Sequence, residues 1–315
     1  MRILITGAAG NLGGFLARDL ASGRHDLRLM VHHKPLAPDI QRGSSVEVVH
    51  ADLAQPETLP AAVAQVDALV HFAGVLFRPF PERFLHTTNL QYVVNLAQAA
   101  VEAGVRRFIL VSFPHVEGET TPDSPGGVAL DGVPVSVHAQ TRLAAERHLL
   151  ERCSGTKTKV VILRSGLIYG RGVLMIEAGR KLMRRRLLGV WPRPTWVHPL
   201  SLPDFIACVR ASIEKPDLSG IYPIADDRPM TLQDFLDTLA GRWGYAPPWR
   251  APAPLFYAAG LACELWGALW GTSAPLTRDF IRIGMVSHVC DTRRMRAELL
   301  RDLAYPTLVD GLGLL

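Results

Sequence analysis

The chain has 315 residues, enough for one large domain or two smaller ones around a substantial core. With 48% apolar and 20% charged residues its composition is globular, which excludes a disordered chain. A formal charge of +5 suits an anionic cofactor and, without basic–aromatic interleaving, does not point to nucleic acid, so no nucleic-acid partner is expected.

The first stretch, Ile3 to Ile5, reads as a buried strand that breaks at Thr6-Gly7 before a helical pattern through Phe15, Leu16 and Leu20. Glycines fall at 7, 10 and 13, with Ala9, Asn11 and Leu12 between them. This spacing lets a strand turn sharply and aim a helix N-terminus at a pyrophosphate. Gly7 suits the turn, Gly10 the close approach of phosphate, and Gly13 the packing of helix on strand.

A second strand, Asp26 to Val31, ends at His32-His33-Lys34, where such folds meet the adenosine ribose. An acidic residue there would repel a 2′-phosphate. Two histidines and a lysine favour NADP(H) over NAD(H) instead. Val46–Val49 and Ala68–His71 make further strands, followed by Asp52-Leu53 and Phe72-Ala73-Gly74. Strands alternating with helices predict an α/β, Rossmann-type, doubly wound parallel sheet.

These residues together resemble the short-chain dehydrogenase/reductase superfamily, in its extended, epimerase/dehydratase-like branch. Thr6-Gly7-x-x-Gly10-x-x-Gly13 looks like the cofactor loop, Asp52-Leu53 the adenine-contacting pair, and His71-Phe72-Ala73-Gly74 the motif after the fourth strand. Thr88-Asn89-Leu90 resembles the central helix. Leu163 to Gly170 is similar to the strand and loop beside the nicotinamide, with Ser165 where proline is usual and Gly166 next to it. The resemblance implies a nucleotide-binding region over 1–165 and a smaller, interleaved substrate-binding region over 166–315, of which about 199–225 returns to the sheet. It also implies a homodimer by analogy.

The active-site motif departs from the family. The family places a Tyr and a Lys four residues apart on one helix, and a Ser or Thr after the fifth strand. Aligned on Ala144-Ala145-Glu146, the Tyr position is His138 and the Lys position Arg142; the Ser position is Phe113, with Ser112 one residue earlier. His138 is either a general acid, with Arg142 holding the ribose, or a polar residue facing the pocket of a decayed triad. His115 and Glu117 either supply a proton from another direction or are polar loop residues. Glu146 is expected to be a solvated helix residue.

Pro122 to Pro134 reads as a loop over the substrate side, and Lys181 to Arg186 as a basic, solvated helix face. Asp204 is expected to cap a helix over Phe205–Ile213. Ala253 to Trp270 is apolar but for Glu264, and is either a buried helix roofing a pocket or an interfacial helix giving peripheral membrane contact through 253–271. The tail after it looks like the 3β-hydroxysteroid dehydrogenase/isomerase-like members, which implies a small hydrophobic substrate. Cys153, Cys208, Cys263 and Cys290 form no metal-type or redox pair, so no metal site and a reducing, cytoplasmic setting are expected. The chain starts on a core strand, leaving no room for a signal peptide.

Three functions follow. The first is an NAD(P)-dependent oxidoreductase with His138, Arg142 and Ser112 as the altered catalytic set. The second is a nucleotide-binding sensor or assembly protein without turnover, and the third a sugar-nucleotide epimerase or dehydratase.

Overall fold

The structure, a computed structural model, describes residues 1–41, 45–75 and 78–315. In chain order, β1 (Arg2–Thr6), α1 (Asn11–Ala21), β2 (Asp26–Val31), α2 (Pro38–Gln41), β3 (Val46–His50), α3 (Leu59–Val63), β4 (Ala68–His71), α4 (Tyr92–Glu102), β5 (Arg107–Ser112), α5 (Val137–Cys153) and β6 (Lys159–Ser165) alternate as the pattern predicts. The rest runs β7 (Leu167–Tyr169), α6 (Leu174–Arg184), β8 (Gly189–Val190), β9 (Trp196–Val197), β10 (Pro199–Ser201), α7 (Leu202–Glu214), β11 (Gly220–Ile224), β12 (Met230–Thr231), α8 (Leu232–Trp243), β13 (Trp249–Arg250), α9 (Ala253–Trp270) and α10 (Arg278–Gly284).

Seven parallel strands form one sheet in the order β11-β6-β5-β4-β1-β2-β3. Its inner strands β1, β4, β5 and β6 are almost wholly buried, because helices cover both faces, whereas β3 at the edge is largely exposed. Side chains alternate across β1: Ile3 and Ile5 pack with Leu16 and Leu20 of α1 and Phe205 of α7, whereas Leu4 packs with Val93 and Leu96 of α4. The chain leaves β1 toward β2 on one side and reaches β4 on the other. That switch opens a crevice at the carboxyl ends of the strands, which is where open α/β sheets bind ligands.

The second half is interleaved with this sheet. β11 joins β6 at the sheet edge, while β10 pairs with β7 in a separate two-stranded ladder. Return to the main sheet is thus made by 220–224, not by the segment around Pro199. A third core cluster (Tyr169, Val173, Met183, Phe235, Leu239) and a fourth (Val190, Trp191, Phe256, Ile281) fill the C-terminal region.

The expected cap moves as well. Ser201 caps α7, its Oγ accepting from the Asp204 N–H at 3.1 Å. Asp204 is buried in the first turn, and its carboxylate accepts from the backbone N–H groups of Ala304 (2.7 Å) and Tyr305 (3.0 Å). It fastens the C-terminal segment to the sheet layer.

Candidate active site

The crevice has two arms that share Gly7, Gly10, Phe72 and Gly74. One, of about 380 Å³, is lined further by Ala9, His32, His33, Lys34, Asp52, Leu53 and Ala73. The other, of about 460 Å³, is lined by Asn11, Leu12, Gly13, Ser112, Ser165 and Gly166, together with Phe113, His115 and His288. Every residue expected to hold the cofactor therefore lines the crevice, except Asn89 and Arg142. Asn89 is fully buried and donates from Nδ2 to Thr141 Oγ1 at 3.1 Å, so it ties the turn before α4 to α5 and stands outside both arms.

A dinucleotide fits these walls. Gly7 has φ +74°, and a Cβ there would lie 2.8 Å from the Ala73 nitrogen; at Gly13 it would lie 2.4 Å from the Gly7 carbonyl oxygen. Only glycines let β1, α1 and the end of β4 meet this closely. Gly10 caps α1 with no side chain, and the first turn of α1 carries no acidic residue, so its N–H groups and dipole are open to an anion. Asn11 bridges the crevice, donating to the Gly172 carbonyl and accepting from the Leu174 N–H, each at 2.8 Å. The His32 and His33 rings lie 3.5 Å apart, tilted by 36°, and His32 Nε2 lies 3.4 Å from Asp52 Oδ2.

Arg142 is buried beside Gly74, and its Nε has no partner. Burial lowers its pKa to about 10, with Glu146 acting against the shift, so it stays a cation at neutral pH. An unpartnered buried guanidinium next to a nucleotide-shaped crevice suits a ribose hydroxyl or phosphate.

Glu146 corrects an expectation. It is fully buried rather than solvated. Arg164 of β6, 1% exposed, donates to it from Nη2 at 2.6 Å and from Nε at 3.1 Å, and also pairs with Glu117. Arg164 completes its bonds at the carbonyls of Gly127 (3.1 Å) and Ala129 (2.8 Å), fixing the loop that the Gly/Pro-rich stretch 122–134 predicts. The Ser112 hydroxyl donates to Glu146 as well, which turns it into this buried network. Glu117 is thus a structural ion-pair partner.

The rings of His138, Phe113, His115 and His288 form a row with centroid separations of 5.1, 5.3 and 4.2 Å. Phe113 occupies the position of the family's hydroxyl. His138 lines a separate cavity of about 40 Å³, formed with Val75, Phe84 and Asp279, rather than either arm of the crevice. Its backbone N–H, like that of Val137, donates to Asp279 of α10. His115 and His288 face both the second arm and an apolar cavity of about 320 Å³ beyond it. Both have a buried Nδ1 without a partner. The sequence reading missed His288, which sits in a short link after α10 and carries no motif. Glu146 carried a signal: an arginine inside the apolar strand run at 160–165 demands a buried counter-charge.

Burial pushes these imidazoles down: His138 and His71 to about 3, with Arg142 adding to the effect, His115 and His198 to about 4, and His288 well below its ordinary value. All are neutral at physiological pH. In the unfolded chain they protonate near 6.5, so below that pH the unfolded state takes up protons that the folded state refuses. Each contributes up to about 1.4 kcal/mol of lost stability per pH unit. Asp226, pushed up to about 7 by burial, and Asp279, also raised, have the opposite sign but are outnumbered. Denaturant titrations should therefore show stability falling steadily from pH 6.5 toward pH 4; a flat or rising profile refutes the buried neutral histidines. In a second experiment, Arg164→Met should cost about 3–5 kcal/mol, because it strands Glu146 and Glu117 without their partner.

Comparison with known proteins agrees with this architecture. Residues 3–189 match the family model of the NAD dependent epimerase/dehydratase family. A uronate dehydrogenase of Pseudomonas syringae pv. tomato is 40% identical over 252 residues, 78% of this chain and 81% of that protein. A 2-alkyl-3-oxoalkanoate reductase of Stenotrophomonas maltophilia is 25% identical over 94% of this chain and 99% of its own length. Among solved structures, a UDP-glucose 4-epimerase from Thermotoga maritima with UDP-glucose superposes with a TM-score of 0.78 at 17% identity, covering 100% of this chain and 97% of that one, which shows a shared fold. The glycine loop, the seven-stranded sheet and the family match together make this chain a member of the NAD-dependent epimerase/dehydratase family, within the extended short-chain dehydrogenase/reductase superfamily.

Proposed function

We propose that the protein is an NAD(P)-dependent oxidoreductase acting on a hydrophobic hydroxyl or carbonyl compound. The observation that carries this reading is the apolar cavity joined to the crevice through His115, Leu167, Met175 and His288. Met183, Trp191, Phe235 and Phe256 form much of its wall, and among the described residues no Asp, Glu, Lys or Arg lines it. A nucleotide sugar or a sugar acid carries anionic groups that need cations or many donors in their pocket. An apolar substrate needs neither, so the epimerase/dehydratase alternative is disfavoured.

The nicotinamide, when bound, takes or gives the hydride at the substrate carbon. The chain must then handle one proton. A neutral imidazole accepts the hydroxyl proton as an alcohol is oxidised, and returns it in the reverse direction. His115 and His288 stand where the crevice meets the cavity, so we assign this role to that pair ahead of His138. Arg142 would hold the cofactor ribose. Ser112, committed to Glu146, would act only by keeping β5 and α5 in register.

The same geometry favours a second reading, a nucleotide-binding protein without turnover, because neither Ser112 nor His138 offers a free group to the crevice. Hydride exchange with any carbonyl compound would exclude it. The His32-His33-Lys34 end of the first arm supports NADP(H) over NAD(H), although structural neighbours such as a protein complexed with UDP-glucose and NAD hold the unphosphorylated cofactor.

Side-by-side calorimetric titrations should give tighter binding of NADPH than of NADH, with the difference shrinking as salt rises; equal affinities would remove the preference. With a panel of long-chain ketones, His115→Ala and His288→Ala should each lower kcat/KM by about a hundredfold or more while NADPH affinity survives. Unchanged turnover in both variants, with a large loss in His138→Ala, would move the proton back to His138.

A further inference from the structure

Helix α9 is inside out. Its one charged residue, Glu264, is turned inward and buried, where it accepts from the Arg278 backbone N–H at 3.0 Å and from Arg278 Nε at 2.7 Å. Phe256, Gly260, Glu264 and Gly267 alone are buried, a single narrow stripe. Gly260 sits tight against α10, where an added Cβ would lie 2.8 Å from Ile281 Cδ1. Most of the remaining circumference is exposed and wholly uncharged. Leu265 is 54% exposed, Trp266 64%, Leu269 76% and Trp270 61%. The helix is therefore not the buried roof that one reading of the sequence expected. Only Phe256 reaches the cavity below.

A water-facing surface of this kind is strongly unfavourable unless something covers it. A protein partner covers one side of a helix. Here the apolar surface wraps most of the way around, which a fluid apolar medium can surround. Two indoles at the C-terminal end, with ring centroids 5.6 Å apart, suit the boundary between headgroups and acyl chains. At the other end, exposed Trp249 stacks on Phe256 at 5.5 Å, and β13 pairs with β8. Just before β8 in the chain lies the exposed run Lys181, Arg184, Arg185 and Arg186, with exposed Leu182 and Leu187 among the cations. Such a basic rim complements anionic headgroups. Among the described residues no helix is long and apolar enough to cross a membrane, so α9 would lie in the interface and not span it.

We propose that α9 seats in the headgroup–acyl boundary of an anionic phospholipid bilayer, with the Lys181–Arg186 rim against the headgroups. Because Phe256 belongs both to this helix and to the apolar cavity, the docking would let a membrane-dissolved substrate reach the crevice; that last step rests on the oxidoreductase reading.

The test is flotation of the full-length protein with phosphatidylcholine vesicles, with and without about one third phosphatidylglycerol. Flotation with the anionic vesicles, reduced on neutral ones and at high salt, is the expected result. The variant carrying Leu265→Ser, Trp266→Ser and Leu269→Ser should float at least about tenfold less while its NADPH titration is unchanged. Charge reversal at Arg184, Arg185 and Arg186 should remove the preference for anionic lipid. Wild-type protein that stays at the bottom with both vesicles overturns the proposal. So does a lipid-free dimer that the triple-serine variant splits, which would give the face to a second copy. A failed NADPH titration with intact flotation would refute the oxidoreductase reading and leave the docking standing.

Discussion

The arginine near the carboxyl end of β6 sets the terms for the whole site. Arg164 is buried among strands that offer no water, so its charge must be matched by side chains from elsewhere. Glu146 comes from α5, Glu117 from the turn after β5, and two carbonyls from the loop at 127–129. One guanidinium thereby locks a strand, a helix and two loops into a single arrangement. Removing any partner would leave an uncompensated charge in a dry interior. With Arg142 and Glu146 one helical turn apart, two arginines face two glutamates and the cluster is balanced overall.

This network has a chemical consequence. Ser112 would be the natural hydroxyl to offer a substrate oxygen, yet it donates to Glu146. Phe113 fills the position beside it, and a row of imidazoles flanks that ring. The same dryness that makes the Arg164 network necessary holds these imidazoles neutral. A neutral imidazole exchanges one proton with a substrate without adding charge to an apolar pocket. The proposed proton chemistry and the apolar cavity are therefore compatible with each other, whereas a tyrosinate next to that cavity would need a cation to stabilise it.

The nucleotide half of the molecule was legible because its signals are local. The spacing of Gly7, Gly10 and Gly13 belongs to one turn, in which Gly10 and Gly13 both crowd the Gly7 carbonyl; only the approach of Gly7 to Ala73 reaches across to another strand. Ala9, Asp52, Phe72 and Gly166 follow the ends of strands, and strand ends in a parallel sheet all open on one edge. The readings that went astray concern residues whose role depends on distant partners. Glu146 looked like one more charge on a polar helix, and only the approach of β6 explains its burial. Asp204 looked like a cap, yet its carboxylate holds the chain a hundred residues on. Asn89, placed at the cofactor by resemblance, packs against α5 instead.

By itself the sequence determined the order of strands and helices, the parallel sheet and the glycine turn after β1, because hydrophobic period and backbone conformation act between near neighbours. It also marked His138 and Arg142 as substitutions in the expected machinery. Only the tertiary structure decided which groups share a pocket. It placed His288 beside His115, moved His138 into a side cavity, and buried Glu264 while leaving the tryptophans of α9 exposed. Burial of a charge and exposure of an apolar face depend on which surfaces are left after all the layers have packed, and no window along the chain contains that information.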